Sequence, residues 1–207
     1  MRQTVNPAKS EENAVFQIRI HGRGGQGVVT AAEMLSVAAF LQGKFAQAFP
    51  SFGSERNGAP VVAFCRIDDR EIRLREPIMA PDALIIQDPT LLHQVDVFSG
   101  LGKDGYILIN TNKNFAGLGL SDFVKGFRHE RLLTVPATEI AMKHVGRPLP
   151  NVPLLGAFAA LGGLIAIDAV CDAIRERFAG KVAAGNVAAA TQAYRFVLEE
   201  EAQAAHA

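Results

Sequence analysis

The sequence is poor in cysteine, in net charge and in long apolar runs. Its two cysteines, Cys65 and Cys171, stand far apart with no C-x-x-C. That excludes a disulfide framework and the usual ligand sets for zinc or an iron–sulfur cluster. Both are expected as buried thiols in a reducing compartment, here the cytoplasm. Lys plus Arg number 21 and Asp plus Glu 21, for a net charge of zero. With no long basic run, this balance argues against nucleic acid and anionic membrane as main partners. The longest apolar run, Val152 to Ile167, contains Pro153 and three glycines and stops at Asp168. It falls short of the ~18 residues of a membrane span and reads as a buried helix. Residues 1–13 are polar, mixed in charge and without the apolar core of a secretory signal, so a short disordered or partner-docked tail is expected. The five histidines, His21, His93, His129, His144 and His206, show no metal-ligand spacing, and no G-x-S-x-G occurs.

What the chain does have is 207 residues, 49% of them hydrophobic, enough for one sizeable α/β domain. The organising stretch is V-F-Q-I-R-I-H-G-R-G-G-Q-G-V-V-T, Val15 to Thr30. Val15, Phe16, Ile18 and Ile20 predict a strand. Gly22, Gly24, Gly25 and Gly27 then break it, and Ala31, Ala32, Leu35, Ala38 and Ala39 recur at helical spacing from Val28 on. Strand, glycine turn and helix form the first βα unit of a doubly wound sheet. The helix start offers N–H groups to an anion; alternatively the turn serves only tight packing, of strand on helix or against another subunit. The Gly22-x-Gly24-x-x-Gly27 spacing also fits a dinucleotide fingerprint. That fingerprint wants an acid about 20 residues on, where this chain has Phe45 to Ser51 without a carboxylate.

Along the chain, the first helix is expected to end near Gly43, in a left-handed cap. Strands follow at Lys44–Phe49 and Pro60–Ile67, the second turning at Asp68-Asp69-Arg70 into a short strand Glu71–Leu74 as a hairpin. Ala83–Gln87 reads as a buried strand. Asp88 and Pro89 then start a helix with Leu91, Leu92, Val95 and Phe98 on its apolar face. Tyr106–Asn110 and Leu132–Val135 are strands, with irregular chain from Asn112 to Gly126 between them, and Thr138–Val145 is a short helix. Asn151 reads as a helix cap, with ligand contact as the other option. One helix or a kinked pair covers Pro153–Phe178, and another Lys181–Glu201. The fold class is a single Rossmann-like, doubly wound α/β domain over 14–203 with a β-hairpin and an alanine-rich helical C-terminal part.

Three segments occur in order: H-G-R-G-G-Q-G-V-V-T-A-A-E-M-L from His21, F-P-S-F-G-S-E-R-N-G-A-P-V from Phe49, and N-V-P-L-L-G-A from Asn151. On these the chain resembles the gamma subunit or gamma domain of the 2-oxoacid:acceptor oxidoreductases, over about residues 14–200. The resemblance implies a multisubunit enzyme that converts a 2-oxoacid and coenzyme A to acyl-coenzyme A, carbon dioxide and two electrons. It implies thiamine diphosphate with magnesium, 4Fe–4S clusters and coenzyme A in the complex. The implied partners are alpha, beta and ferredoxin-like delta subunits, with ferredoxin or another acceptor. The E-R-x-G-A-P form of the second segment leans toward pyruvate-type members, with aryl substrates such as phenylglyoxylate open. This chain lacks the G-D-G that holds thiamine diphosphate in the family and lacks cluster cysteines, so it is expected to bind none of these cofactors alone and to be inactive alone.

Two groups of site residues follow. Gly22, Arg23, Gly24, Gly25, Gln26 and Gly27 are candidates for a coenzyme A phosphate, with Arg23 beside the anion and Gln26 as an amide donor. Phe52, Glu55, Arg56 and Asn57 are candidates for a subunit interface, Glu55 and Arg56 reaching either a partner or substrate phosphates. Two readings from other classes stand beside this one. One is a stand-alone dinucleotide-binding oxidoreductase; the other is a purely structural assembly protein.

Overall fold

The computed structural model describes residues 15–51 and 58–206. Its element order is β1 (Phe16–Arg23), α1 (Val28–Leu41), β2 (Phe45–Pro50), β3 (Pro60–Asp68), β4 (Ala83–Ile86), β5 (Tyr106–Asn110), α2 (Ser121–Val124), β6 (Leu132–Val135), α3 (Ala137–Val145), α4 (Asn151–Gly162), α5 (Ile167–Arg177) and α6 (Gly180–His206). The strands form one sheet in the order β2-β3-β1-β4-β5-β6. β1, β4, β5 and β6 are parallel neighbours. β3 lies antiparallel between β1 and β2.

The side-chain period of two divides this sheet cleanly. On one face Ile18, Ile20, Ala63, Cys65, Ile67, Ala83, Ile85, Leu108 and Val135 join the cluster built with α1, α3, α4, α5 and α6. On the other face Ile86, Ile107 and Ile109 pack with Leu91, Val97 and Phe127 from the connecting segments. Both faces are covered, as the doubly wound α/β class requires, with the long helices gathered on the first. α4 is apolar all round, and ten of its twelve residues are buried; it is the central helix of that layer. Among the described residues no helix is long and apolar enough to cross a membrane.

α1 ends as its sequence predicts, with Gly43 at φ 80° and its N–H donating to Phe40 O. Two expectations differ, and a third is decided between its two alternatives. The hairpin exists, but between β2 and β3; Glu71–Leu74 is not a strand. The reason is that both edges of β3 are already paired, by β1 and β2, so a strand after Asp69 has no edge to join. The chain there crosses the second face instead, where Gln17, Arg19 and Arg66 donate side-chain hydrogen bonds to the carbonyls of Ala80, Ile78 and Glu76. The helix after Asp88 is only a 3₁₀ turn, Pro89–His93. Beyond it the carbonyls of Val97 and Ser99 turn inward to the buried Arg19 guanidinium at 3.0 and 2.6 Å. The run Pro153–Phe178 is two helices, α4 and α5, broken at Gly163 in left-handed conformation.

Candidate functional site

The glycine turn sits at the C-terminal edge of the parallel strands, where open α/β sheets place their ligands. β1 delivers Gly22 and Arg23 to this edge, β4 delivers Gln87 and Asp88, and β5 delivers Asn110. Two glycines show why the turn needs them. A Cβ at Gly22 would lie 2.6 Å from Val28 Cγ2, so strand and helix could not meet as closely. Gly27 caps α1 at φ 72°, and a Cβ there would lie 2.5 Å from Asn151 Nδ2. No side chain caps α1, and its first turn holds no acid. The amides of that turn therefore keep the partial positive charge of a helix start.

Around this turn the side chains form a closed network. Arg23 Nε donates to Asp88 Oδ2 at 3.0 Å, Nη1 to Gly58 O at 3.0 Å, and Nη2 to Thr90 Oγ1 at 2.7 Å and Gln94 Oε1 at 2.8 Å. The Arg23 N–H donates to Gln26 Oε1 at 2.8 Å, and Gln26 Nε2 donates to the same Asp88 Oδ2 at 2.9 Å. Asp88 Oδ1 accepts from Thr90 N and Thr90 Oγ1 at 3.0 and 2.6 Å. Partial burial pushes the Asp88 carboxyl up, but the bonds from Thr90 and Gln26 and the Arg23 charge outweigh it and hold it below the usual range. Two backbone bonds, Gly24 N to Ala59 O and Gly58 N to Gly24 O, tie the turn to the start of the next strand.

Beneath the turn lie buried amides. Gln87 is fully buried, and neither its Oε1 nor its Nε2 has a hydrogen-bond partner. Asn110 donates to Gln87 O and accepts from Thr138 N, in the first turn of α3, at 3.1 Å. Asn151 is the first residue of α4, not its cap; Pro150 holds that position. Its Nδ2 donates instead to Gly27 O at 3.4 Å, joining α4 to the glycine turn. His21, on the opposite face, is buried, and its Nε2 accepts from Arg19 Nε at 3.0 Å. Burial, and then the Arg19 charge, lower its pKa to about 3, so the ring is neutral and structural.

The six glycine-turn candidates are thus together in space. Gly22, Gly24, Gly25 and Gly27 shape the backbone, while Arg23 and Gln26 turn toward Asp88. The interface candidates Phe52, Glu55, Arg56 and Asn57 lie outside the described residues. Sequence reading marked Asp88 as a cap, which it is, and missed its partnership with Arg23. The one signal for it is that both residues end neighbouring parallel strands. Cys65 and Cys171 are both buried free thiols, and burial pushes Cys65 up to about 12. Among the described residues no three His, Cys, Asp or Glu side chains are grouped to hold a metal.

A family model described as pyruvate ferredoxin/flavodoxin oxidoreductase matches residues 17–196. Pyruvate synthase subunit PorC of Methanosarcina barkeri is 53% identical over 186 residues, 90% of this chain and 99% of that protein. The pyruvate/ketoisovalerate oxidoreductases common subunit gamma of Pyrococcus furiosus is 45% identical over 180 residues, 87% of this chain and 96% of that protein. The crystal structure of pyruvate oxidoreductase subunit PORC from Thermotoga maritima is similar with a TM-score of 0.74 at 36% identity, covering 88% of this chain and 97% of that one. Matched along almost its whole length in sequence and fold, the chain belongs to the pyruvate ferredoxin/flavodoxin oxidoreductase family.

Proposed function

We propose that this chain is the gamma subunit of a cytoplasmic 2-oxoacid:ferredoxin oxidoreductase of the pyruvate or ketoisovalerate type. The observation that carries this reading is full-length similarity to subunits so named, at 45–53% identity. Thiamine diphosphate with magnesium and the iron–sulfur clusters are assigned to partner chains. The donor set here supports that: one thiol is fully buried with its proton held tightly, and the other lies far from it in sequence. The chain's own contribution is structural completion of the complex and a border for the coenzyme A path. Coenzyme A would meet the uncapped start of α1, whose first turn carries no acid to repel a phosphate. Coenzyme A itself supplies the acyl-accepting thiol; this chain would orient it through the backbone amides of the turn.

The test is reconstitution under anaerobic conditions. The partner subunits with this chain should give coenzyme A-dependent, ferredoxin-linked oxidation of pyruvate, and the partners alone should not. The chain alone should show no turnover. Copurification of this chain with an unrelated enzyme set, and none with alpha, beta and delta subunits, would overturn the assignment.

A further inference from the structure

Arg23 is the cation of the glycine turn, yet four of its five N–H groups are engaged by protein. Four acceptors on three segments take its N–H groups: Asp88 and Thr90 on the turn after β4, Gln94 just beyond it, and Gly58 ahead of β3. The opposite charge sits 3.0 Å away on a carboxylate whose side chain is only 13% exposed. Gln26 closes the ring by bonding both Arg23 N and Asp88 Oδ2. A guanidinium so paired offers little field and no free fork to an incoming phosphate.

We propose that Asp88 is the positioning residue of the site: with Gln26 it holds Arg23 as an internal staple, and the staple, not a direct contact from Arg23, readies the turn for its ligand. The three side chains lock the conformation in which Gly24 exchanges backbone hydrogen bonds with Gly58 and Ala59. A phosphate ester is then read by the backbone amides at the start of α1. The part of this inference that concerns the ligand rests on the coenzyme A reading above.

The two roles for Arg23 predict opposite signs for one conservative change. Asp88→Asn keeps a capping side chain for Thr90 but removes the charge that holds Arg23. If Arg23 were a phosphate ligand, freeing it would tighten coenzyme A. If it is a staple, loosening it weakens coenzyme A.

The experiment uses the assembled complex, checked by gel filtration, with Asp88→Asn, Arg23→Gln and the double variant. One readout is the Michaelis constant for coenzyme A alongside kcat and that for the 2-oxoacid. The other is hydrogen exchange by mass spectrometry of peptides spanning Gly24 and Gly58. The staple predicts faster exchange in both single variants and a double variant no worse than either. It also predicts a rise of roughly 3- to 30-fold in the coenzyme A constant, with kcat and the 2-oxoacid constant unchanged. Faster exchange with coenzyme A kinetics unchanged would keep the staple and remove coenzyme A from this turn. Unchanged exchange in Asp88→Asn, or a lower coenzyme A constant in it, would overturn the proposal. Should Arg23→Gln fail to assemble, Asp88→Asn decides alone.

Discussion

His21 shows how a residue beside a candidate site can be occupied with the fold alone. It accepts from Arg19, whose guanidinium donates to the carbonyls of Ile78, Val97 and Ser99 and is favoured by the charge of Asp96. A proton on His21 would place a second buried positive charge 3.0 Å from the first. The folded pKa is therefore lowered to about 3, against an unfolded value of about 6.5. Between those values the unfolded chain holds a proton that the folded chain refuses. Stability is therefore complete above the unfolded value and falls as pH drops through the window. The loss from this one group approaches roughly 1.4 kcal/mol per pH unit, or about 2 kcal/mol between about pH 7 and about pH 5. His21→Gln retains an acceptor for Arg19 and removes the titration, so its urea midpoint should depend less on pH across that range. Equal pH dependence in the two proteins would mean that His21 already carries its proton in the fold. Sequence alone shows only that His21 lacks metal-ligand spacing. It could not show the lowered pKa, because the carbonyls around Arg19 come from segments about 60 to 80 residues away.

Elements legible in the sequence are those whose pattern is local. β1, the glycine turn and α1 follow from alternation, four glycines and helical spacing within 27 residues. α3 and α6 follow from periodicity and their C-terminal or N-terminal punctuation. What was not legible is which strand stands beside which. β3 reads correctly as a strand, but nothing in Pro60–Asp68 shows that it will pair on both edges, and so the hairpin was assigned to Glu71–Leu74. The same holds for the site: the glycines are a local signal, whereas Asp88 to Arg23 is a contact across 65 residues. The helical layer offers a test of close packing. Gly156 lies in the middle of α4, and a Cβ there would come 2.1 Å from Ala190 O in α6. By propensity alone Gly156→Ala should favour the helix by ~1 kcal/mol. A backbone carbonyl cannot rotate away as a side chain can, so overpacking wins. We expect the overpacking cost of Gly156→Ala, about 1–3 kcal/mol, to leave a net destabilisation of up to about 2 kcal/mol, read as a lower denaturant midpoint with unchanged slope. A variant as stable as the parent would show that α4 and α6 slide apart freely.

At the scale of the whole molecule, strand order decides between the two oxidoreductase readings that the glycine turn allows. A dinucleotide fold runs from its glycine turn through a helix to a parallel strand beside the first, whose end carries the acid for the ribose hydroxyl. Here α1 leads to β2, which is parallel to β1 in direction but not adjacent to it; antiparallel β3 stands between them. With strands ~4.8 Å apart, the end of β2 is displaced to about 10 Å from β1 instead of about 5 Å. It also ends in Phe49 and Pro50, neither of which can accept from a hydroxyl through its side chain. The position next to Gly22 is taken by Val61, near the start of β3, running the other way. Among the described residues both the chemistry and the place of ribose recognition are therefore missing, while the uncapped start of α1 remains. The topology thus separates anion binding from dinucleotide binding, which the turn sequence by itself could not do. Isothermal titration of the chain with NAD and NADP should show no affinity tighter than about millimolar, equivalent to roughly 4 kcal/mol of binding free energy. A micromolar constant would require a ribose contact that this strand order does not provide, and would move the chain from a subunit of a larger oxidoreductase toward a dinucleotide enzyme in its own right.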